Sequence, residues 1–274
     1  MMDIKTALSQ LTKWFEDYVK EFASDNQDVQ VNIALKKNHT LRVRNVIVDI
    51  GNSIYLEEEE MYIAEACALL HDIGRFEQHR RYGTFSDANS ENHAALGVRI
   101  IREHDVLKNF PPEAIKIIIR TVGCHNMSFI PEKVNRDWIL FLKLIRDADK
   151  IDILYVVTEY YKNSASGSNK ALEMHLPDTN TISVAIYESL ANGQIALIKN
   201  LYSLNDFKLY QMGWVYDLNF LRSLQIFKER GYLEMLRDAL PESSKKAEKI
   251  YQITNAFLEK KLANSLNTHG VSSL

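Results

Sequence analysis

Leu69-Leu-His-Asp-Ile-Gly-Arg75 closes an apolar helical run on a histidine and an aspartate side by side. The run carries Ala64, Ala68, Leu69 and Leu70 at helical spacing, and Gly74 is where that helix is expected to stop. Upstream, Glu57 to Glu60 open the same helix, where carboxylates suit the positive end of its dipole. Further back, Leu8, Leu11, Trp14, Phe15, Tyr18 and Phe22 make the stripe of a first helix. Val31, Leu35, Val43, Val46, Ile47 and Ile50 make that of a second, ending at Gly51-Asn52.

Downstream, Phe76 to Asn89 show no period and hold Gly83, Ser86, Asp87 and Asn89, so a loop is expected there. Ser90 is the expected N-cap of a helix through Ile100 and Ile101, and Pro111-Pro112 precedes another through Val122. A longer helix is expected from about Asp137 to Tyr161, and an amphipathic one from about Ser243 to Asn264. Asn163 to Asn169 reads as a linker. Strand-like signals are few and short. With only 10 glycines and 5 prolines in 274 residues, chain-breakers are too scarce for a sandwich or barrel. The fold class expected is all-α.

The charge balance of 33 basic against 36 acidic residues excludes a nucleic-acid binder that works by bulk basicity, though not a local basic pocket. Cys67 and Cys124 lie in apolar helical patterns and read as buried thiols of a reducing compartment. Neither a signal peptide nor a membrane span is visible: the most apolar stretch, Ile139 to Ile145, is broken by Lys143. A cytoplasmic protein is expected.

Eight histidines punctuate the chain, and any one alone reads as an ordinary core or surface residue. Their order carries more. His39 sits mid-helix, His71-Asp72 at a helix end, His93 in a first turn, His125 after the next helix, and Asp149 in Arg146-Asp-Ala-Asp-Lys-Ile-Asp152. With His39-Thr-Leu-Arg-Val-Arg-Asn-Val and Glu91-Asn-His-Ala-Ala-Leu-Gly-Val, this order resembles the HD-domain superfamily of metal-dependent hydrolases over about residues 30 to 160.

The resemblance implies an HD-domain helical bundle with additional C-terminal helices. With the linker as the boundary, an HD domain with an N-terminal helix is expected over residues 1–165 and a helical extension packing on it over 166–274, or one continuous domain. His39, His71, Asp72 and Asp149 would hold a first metal. Asp72 would bridge to a second, completed by His93 and His125. Imidazole and carboxylate without thiolate suit two divalent transition-metal ions of the Mn, Fe, Co, Ni or Zn type. The family places its last ligand at the second aspartate of Asp-Ala-Asp, which leaves Asp152 as a supporting group or a surface charge.

The implied chemistry is cleavage of a phosphate ester of a small metabolite or nucleotide by a hydroxide shared between the metals, with Asp72 and Arg75 in catalytic roles. Arg75, three residues past Asp72, is either the fork that meets phosphoryl oxygens or a cation placed by the helix dipole. His79, Arg80 and Arg81 either line a substrate pocket with it or form a solvated basic loop. The sequence lacks the Gly-Tyr-Pro of the cyclic-dinucleotide branch and has Arg75 where the nucleotidase branch has glutamate. A di-iron oxygenase with the same ligands and a non-catalytic nucleotide-binding module are the alternatives. No membrane and no bulk nucleic acid are expected as partners, and a homo-oligomer is compatible. Met212 to Phe220 is dense in aromatics, as core or as a wall closing the site. His104, His175 and His269 carry no pattern.

Overall fold

The computed structural model describes residues 3–130, 138–163, 169–170 and 172–269. The described residues contain helices and no strand, and the all-α expectation holds. No described helix is long and apolar enough to cross a membrane. Contacts divide the chain into two compact units, Met1–Asp152 and Ile153–Leu274. The division lies inside a helix, upstream of the boundary expected at 165/166. Residues 164–168 of the expected linker, and the expected start of the long helix at Asp137, lie outside the described residues.

In the first unit, α1 (Ile4–Lys20) starts where the Asp3 carboxylate accepts from the Thr6 amide, and α2 (Gln27–Ser53) starts where Asn26 caps Asp28 and Val29. The glutamate run starts α3 (Glu58–Leu70) with a reciprocal capping box between Glu57 and Glu60. From Ala66 to Leu70 every residue of α3 is buried, and the helix packs against α1, α2 and α6 (Pro112–Cys124). This central position carries His71 and Asp72 into the interior, at 0% and 3% exposure.

Three sequence expectations need correction here. The helix of the glutamate run ends at Leu70, and a new helix, α4 (Ile73–Tyr82), begins beyond Asp72 and contains Gly74. Residues 76–82 are therefore helical, and only the segment from Gly83 to Asn92 connects α4 to α5 (His93–Glu103), with a 3-10 turn at Asp87–Asn89. The period was invisible because α4 buries Glu77, Gln78 and His79 beside Ile73 and Phe76. Gln78 Nε2 donates to Asp87 Oδ1, Ser90 Oγ and the Glu91 carbonyl, which replaces the hydration lost on burial. Gly83 ends α4 at φ 64°, the left-handed cap that glycine adopts freely. The N-cap of α5 is Asn92, which accepts from the Ala95 amide, and not Ser90.

Helix α7 (Ile139–Lys162) supplies Asp147, Ala148, Ile151 and Asp152 to the buried set. In the second unit, α8 (Val184–Ala191), α9 (Leu204–Met212), α10 (Leu221–Glu229) and α11 (Tyr232–Asp238) pack against α12 (Lys245–His269). Met212, Trp214 and Val215 of the aromatic stretch are buried, and Tyr216 meets the ring of Phe257 edge-on, so this cluster serves the core of that unit. His104 packs against Trp14 and Tyr18, and His175 is exposed; the His269 side chain lies outside the described residues.

Candidate metal centre

Five elements bring the six expected ligands together. Helix α2 supplies His39, the α3–α4 junction His71 and Asp72, the start of α5 His93, the end of α6 His125, and α7 Asp149. Two groups can hold an ion: His39 with His71 and Asp72, and Asp72 with His93 and His125, the ligand atoms within each lying no more than 4.8 Å apart. The two oxygens of Asp72 face different groups. Oδ2 is 3.6 Å from His39 Nε2 and 3.8 Å from His71 Nε2. Oδ1 is 3.4 Å from His93 Nε2 and 3.9 Å from His125 Nε2. Asp149 joins the first group, its Oδ1 at 3.1 Å from His39 Nε2 and 3.8 Å from His71 Nε2.

All four imidazoles turn Nε2 inward and back Nδ1 with an acceptor. His39 Nδ1 donates to Asp152 Oδ2 at 2.7 Å, and His93 Nδ1 to Asp87 at 2.8 Å. His71 Nδ1 donates to the Ala68 carbonyl and His125 Nδ1 to that of Val122, both at 2.8 Å. A neutral imidazole whose proton is held on Nδ1 presents a lone pair at Nε2. His93 Nε2 and His125 Nε2 lie 3.1 Å apart, and two such lone pairs facing each other call for a cation between them. The donor set fits divalent ions.

The electrostatics agree. Burial, with repulsion from the neighbouring imidazoles, pushes His125 down to about 3, and burial likewise lowers His71 and His93. Burial also opposes charge on His39, but hydrogen bonds to Asp149 and Asp152 outweigh it and push His39 up to about 9. A proton on His39 Nε2 thus stands where a cation fits. Burial works against the Asp72 carboxylate, yet Lys36, His71 and Arg75 hold it well below the usual carboxylate range.

Asp152, 1% exposed, also takes Arg42 Nε and Nη2 at 2.7 and 3.0 Å. It is tied down on both sides and fixes the His39 ring. Asp152→Asn should weaken the first ion about 10–100-fold and leave the second unchanged. Competition with a chelator measures both, and equal affinities in parent and variant would show that Asp152 does not orient His39.

The cations expected to meet substrate are placed differently from one another. Arg75 Nε lies 3.5 Å from Asp72 Oδ1, while its Nη1 donates to Gln78 Oε1, Asp87 Oδ1 and the Phe85 carbonyl. His79 is buried with Nε2 3.2 Å from Asn32 Nδ2 and its ring tilted on Phe85. Arg80 lies over the Phe22 ring and pairs with Glu77, and Arg81 pairs with Glu77 and Glu91. The structure does not bring Arg80 and Arg81 to the histidine cluster. Sequence reasoning missed Lys36, whose Nζ is 2.8 Å from Asp72 Oδ2, and Asp87, the partner of His93. Lys36 lies one helical turn before His39, a spacing that could have flagged it.

Comparison with known families matches residues 37–154, less than half of the chain, to the HD domain. Searches of curated proteins and of solved structures gave no match.

Proposed function

With residues 37–154 forming an HD domain, we propose that the chain is a metal-dependent phosphohydrolase with a dinuclear centre, acting on a phosphate ester of a small metabolite or nucleotide. The observation that carries this reading is the division of Asp72, one oxygen toward His39 and His71, the other toward His93 and His125. Bound there, two divalent ions supply Lewis acidity at the phosphoryl oxygens and acidify water toward neutral pH.

The chain's own residues do the rest. His39, His71, Asp72 and Asp149 hold the first position, and Asp72, His93 and His125 the second. Asp152, Asp87 and the Ala68 and Val122 carbonyls keep the rings aimed and the Nδ1 protons away from the site. Arg75 ties the 83–87 turn to Asp72 and puts a guanidinium at the edge of the second position.

The test is elemental analysis of the purified chain followed by phosphate release from a panel of phosphomonoesters, phosphodiesters and nucleotides. About two ions per chain and release from at least one class are expected. A fully loaded protein that releases phosphate from none, but consumes oxygen with iron bound, would replace hydrolysis with the oxidative reading.

A further inference from the structure

Lys36 has no place in the ligand set, yet it reaches further into the centre than any cation the sequence singled out. Its Nζ lies 2.8 Å from Asp72 Oδ2, with the side chain 18% exposed and the carboxylate 4%. The same ammonium stands over the ring of Phe85, 5.4 Å from its centroid. That carboxylate oxygen is also the one that faces His39 and His71. An ammonium and a divalent cation cannot share one carboxylate oxygen at bonding distance without strong repulsion. An ion on Oδ2 therefore weakens that oxygen's hold on Lys36 and frees the ammonium to meet another anion. Anchored on α2 one turn from His39, it stays at the rim of the centre, where an anion can meet it.

Resting on the phosphohydrolase reading, we infer that Lys36 is the anchor for the substrate's phosphoryl group and selects phosphomonoesters. None of the cations the sequence singled out lies on Asp72 Oδ2, and Arg75 Nε faces Oδ1 instead at 3.5 Å. Arg75 Nη1 holds Gln78, Asp87 and the Phe85 carbonyl, and Arg80 and Arg81 hold Glu77. Lys36 adds a further positive centre to two divalent ions whose carboxylate ligands are Asp72 and Asp149 alone. A site with that excess of positive charge favours the dianion of a phosphomonoester over the single charge of a diester. A lysine suits this task as a compact point charge on a mobile stem, able to move from Oδ2 to a phosphoryl oxygen.

The experiment uses the full chain, with manganese as the ion and inorganic phosphate as the probe, both by titration calorimetry. Lys36→Met should bind manganese about tenfold more tightly, because the competitor for Oδ2 is gone, and phosphate about tenfold or more weakly. Lys36→Arg should keep most of the phosphate affinity. Methyl phosphate should displace phosphate from the parent, and dimethyl phosphate should not. Lys36→Gln, of similar helix propensity, repeats the comparison if the methionine variant does not fold. Unchanged phosphate affinity in the variants, or a manganese-loaded parent that binds no phosphate, overturns the anchor and leaves the metal centre standing. A parent that takes up no manganese or other divalent ion overturns both readings.

Discussion

Asp72→Ala should empty both metal positions at once and lower hydrolysis by at least about 1000-fold. Each oxygen of Asp72 faces a different histidine pair, so no other single ligand belongs to both groups. Its loss also strips Lys36 of its 2.8 Å partner and Arg75 of a carboxylate at 3.5 Å, leaving two cations where ions should bind. Repulsion from these cations makes rebinding of either ion harder than the missing ligand alone would. His93→Ala is the control that gives the result meaning. It removes a ligand from the second group only, and elemental analysis should find one ion retained with His39, His71, Asp72 and Asp149. If Asp72→Ala keeps one ion, the carboxylate does not bridge. If His93→Ala keeps both, the second position is misassigned.

The helical fold was open to sequence reasoning because it rests on local signals, whereas the grouping of the histidines came only through the resemblance of their order to the HD family. Apolar spacing marks α1, α2, α3 and α6, and the side-by-side His71 and Asp72 at a helix end stand out in any register. Helix α4 was hidden because its buried face mixes Glu77, Gln78 and His79 with Ile73 and Phe76, and burial of polar groups breaks the hydrophobic period. What licenses their burial is a set of partners distant in sequence, such as Ser90 and Glu91 for Gln78. The behaviour of Arg81 was closer to legible, since Glu77 stands four residues before it, a spacing that pairs opposite charges on a helix. Asp87 and Lys36 offer less: Asp87 faces His93 only because α4 and α5 fold back on each other. Asp152 shares a helical face with Asp149, and the structure spends that face on orienting His39 rather than on solvent.

Gly74 shows how a residue that reads as punctuation can be a packing requirement, and Gly74→Ala should be the most damaging single-methyl change in the first unit. A Cβ built there would lie 2.2 Å from the His93 carbonyl oxygen and 2.7 Å from the Gly97 amide nitrogen. Both are backbone atoms of α5, so no rotamer change relieves the clash, and α4 and α5 have to move apart. Gly97 answers from the other side, where a Cβ would already press on Ile73 and the Gly74 nitrogen at 3.3 and 3.4 Å. The expected cost is about 3 kcal/mol of unfolding free energy, seen as a fall of roughly 10 °C in melting temperature. Gly83→Ala is the contrast: nothing lies within 4 Å of its Cβ, and only the positive φ of 64° penalises it, by about 1 kcal/mol. The separation of α4 from α5 also carries a functional cost. His93 is the first residue of α5 and Asp72 immediately precedes α4, so the 3.4 Å between His93 Nε2 and Asp72 Oδ1 depends on that close approach. Gly74→Ala protein that still folds should therefore lose the second ion and keep the first. Should it melt with the parent and bind both ions, the helices do not meet as closely as this geometry requires.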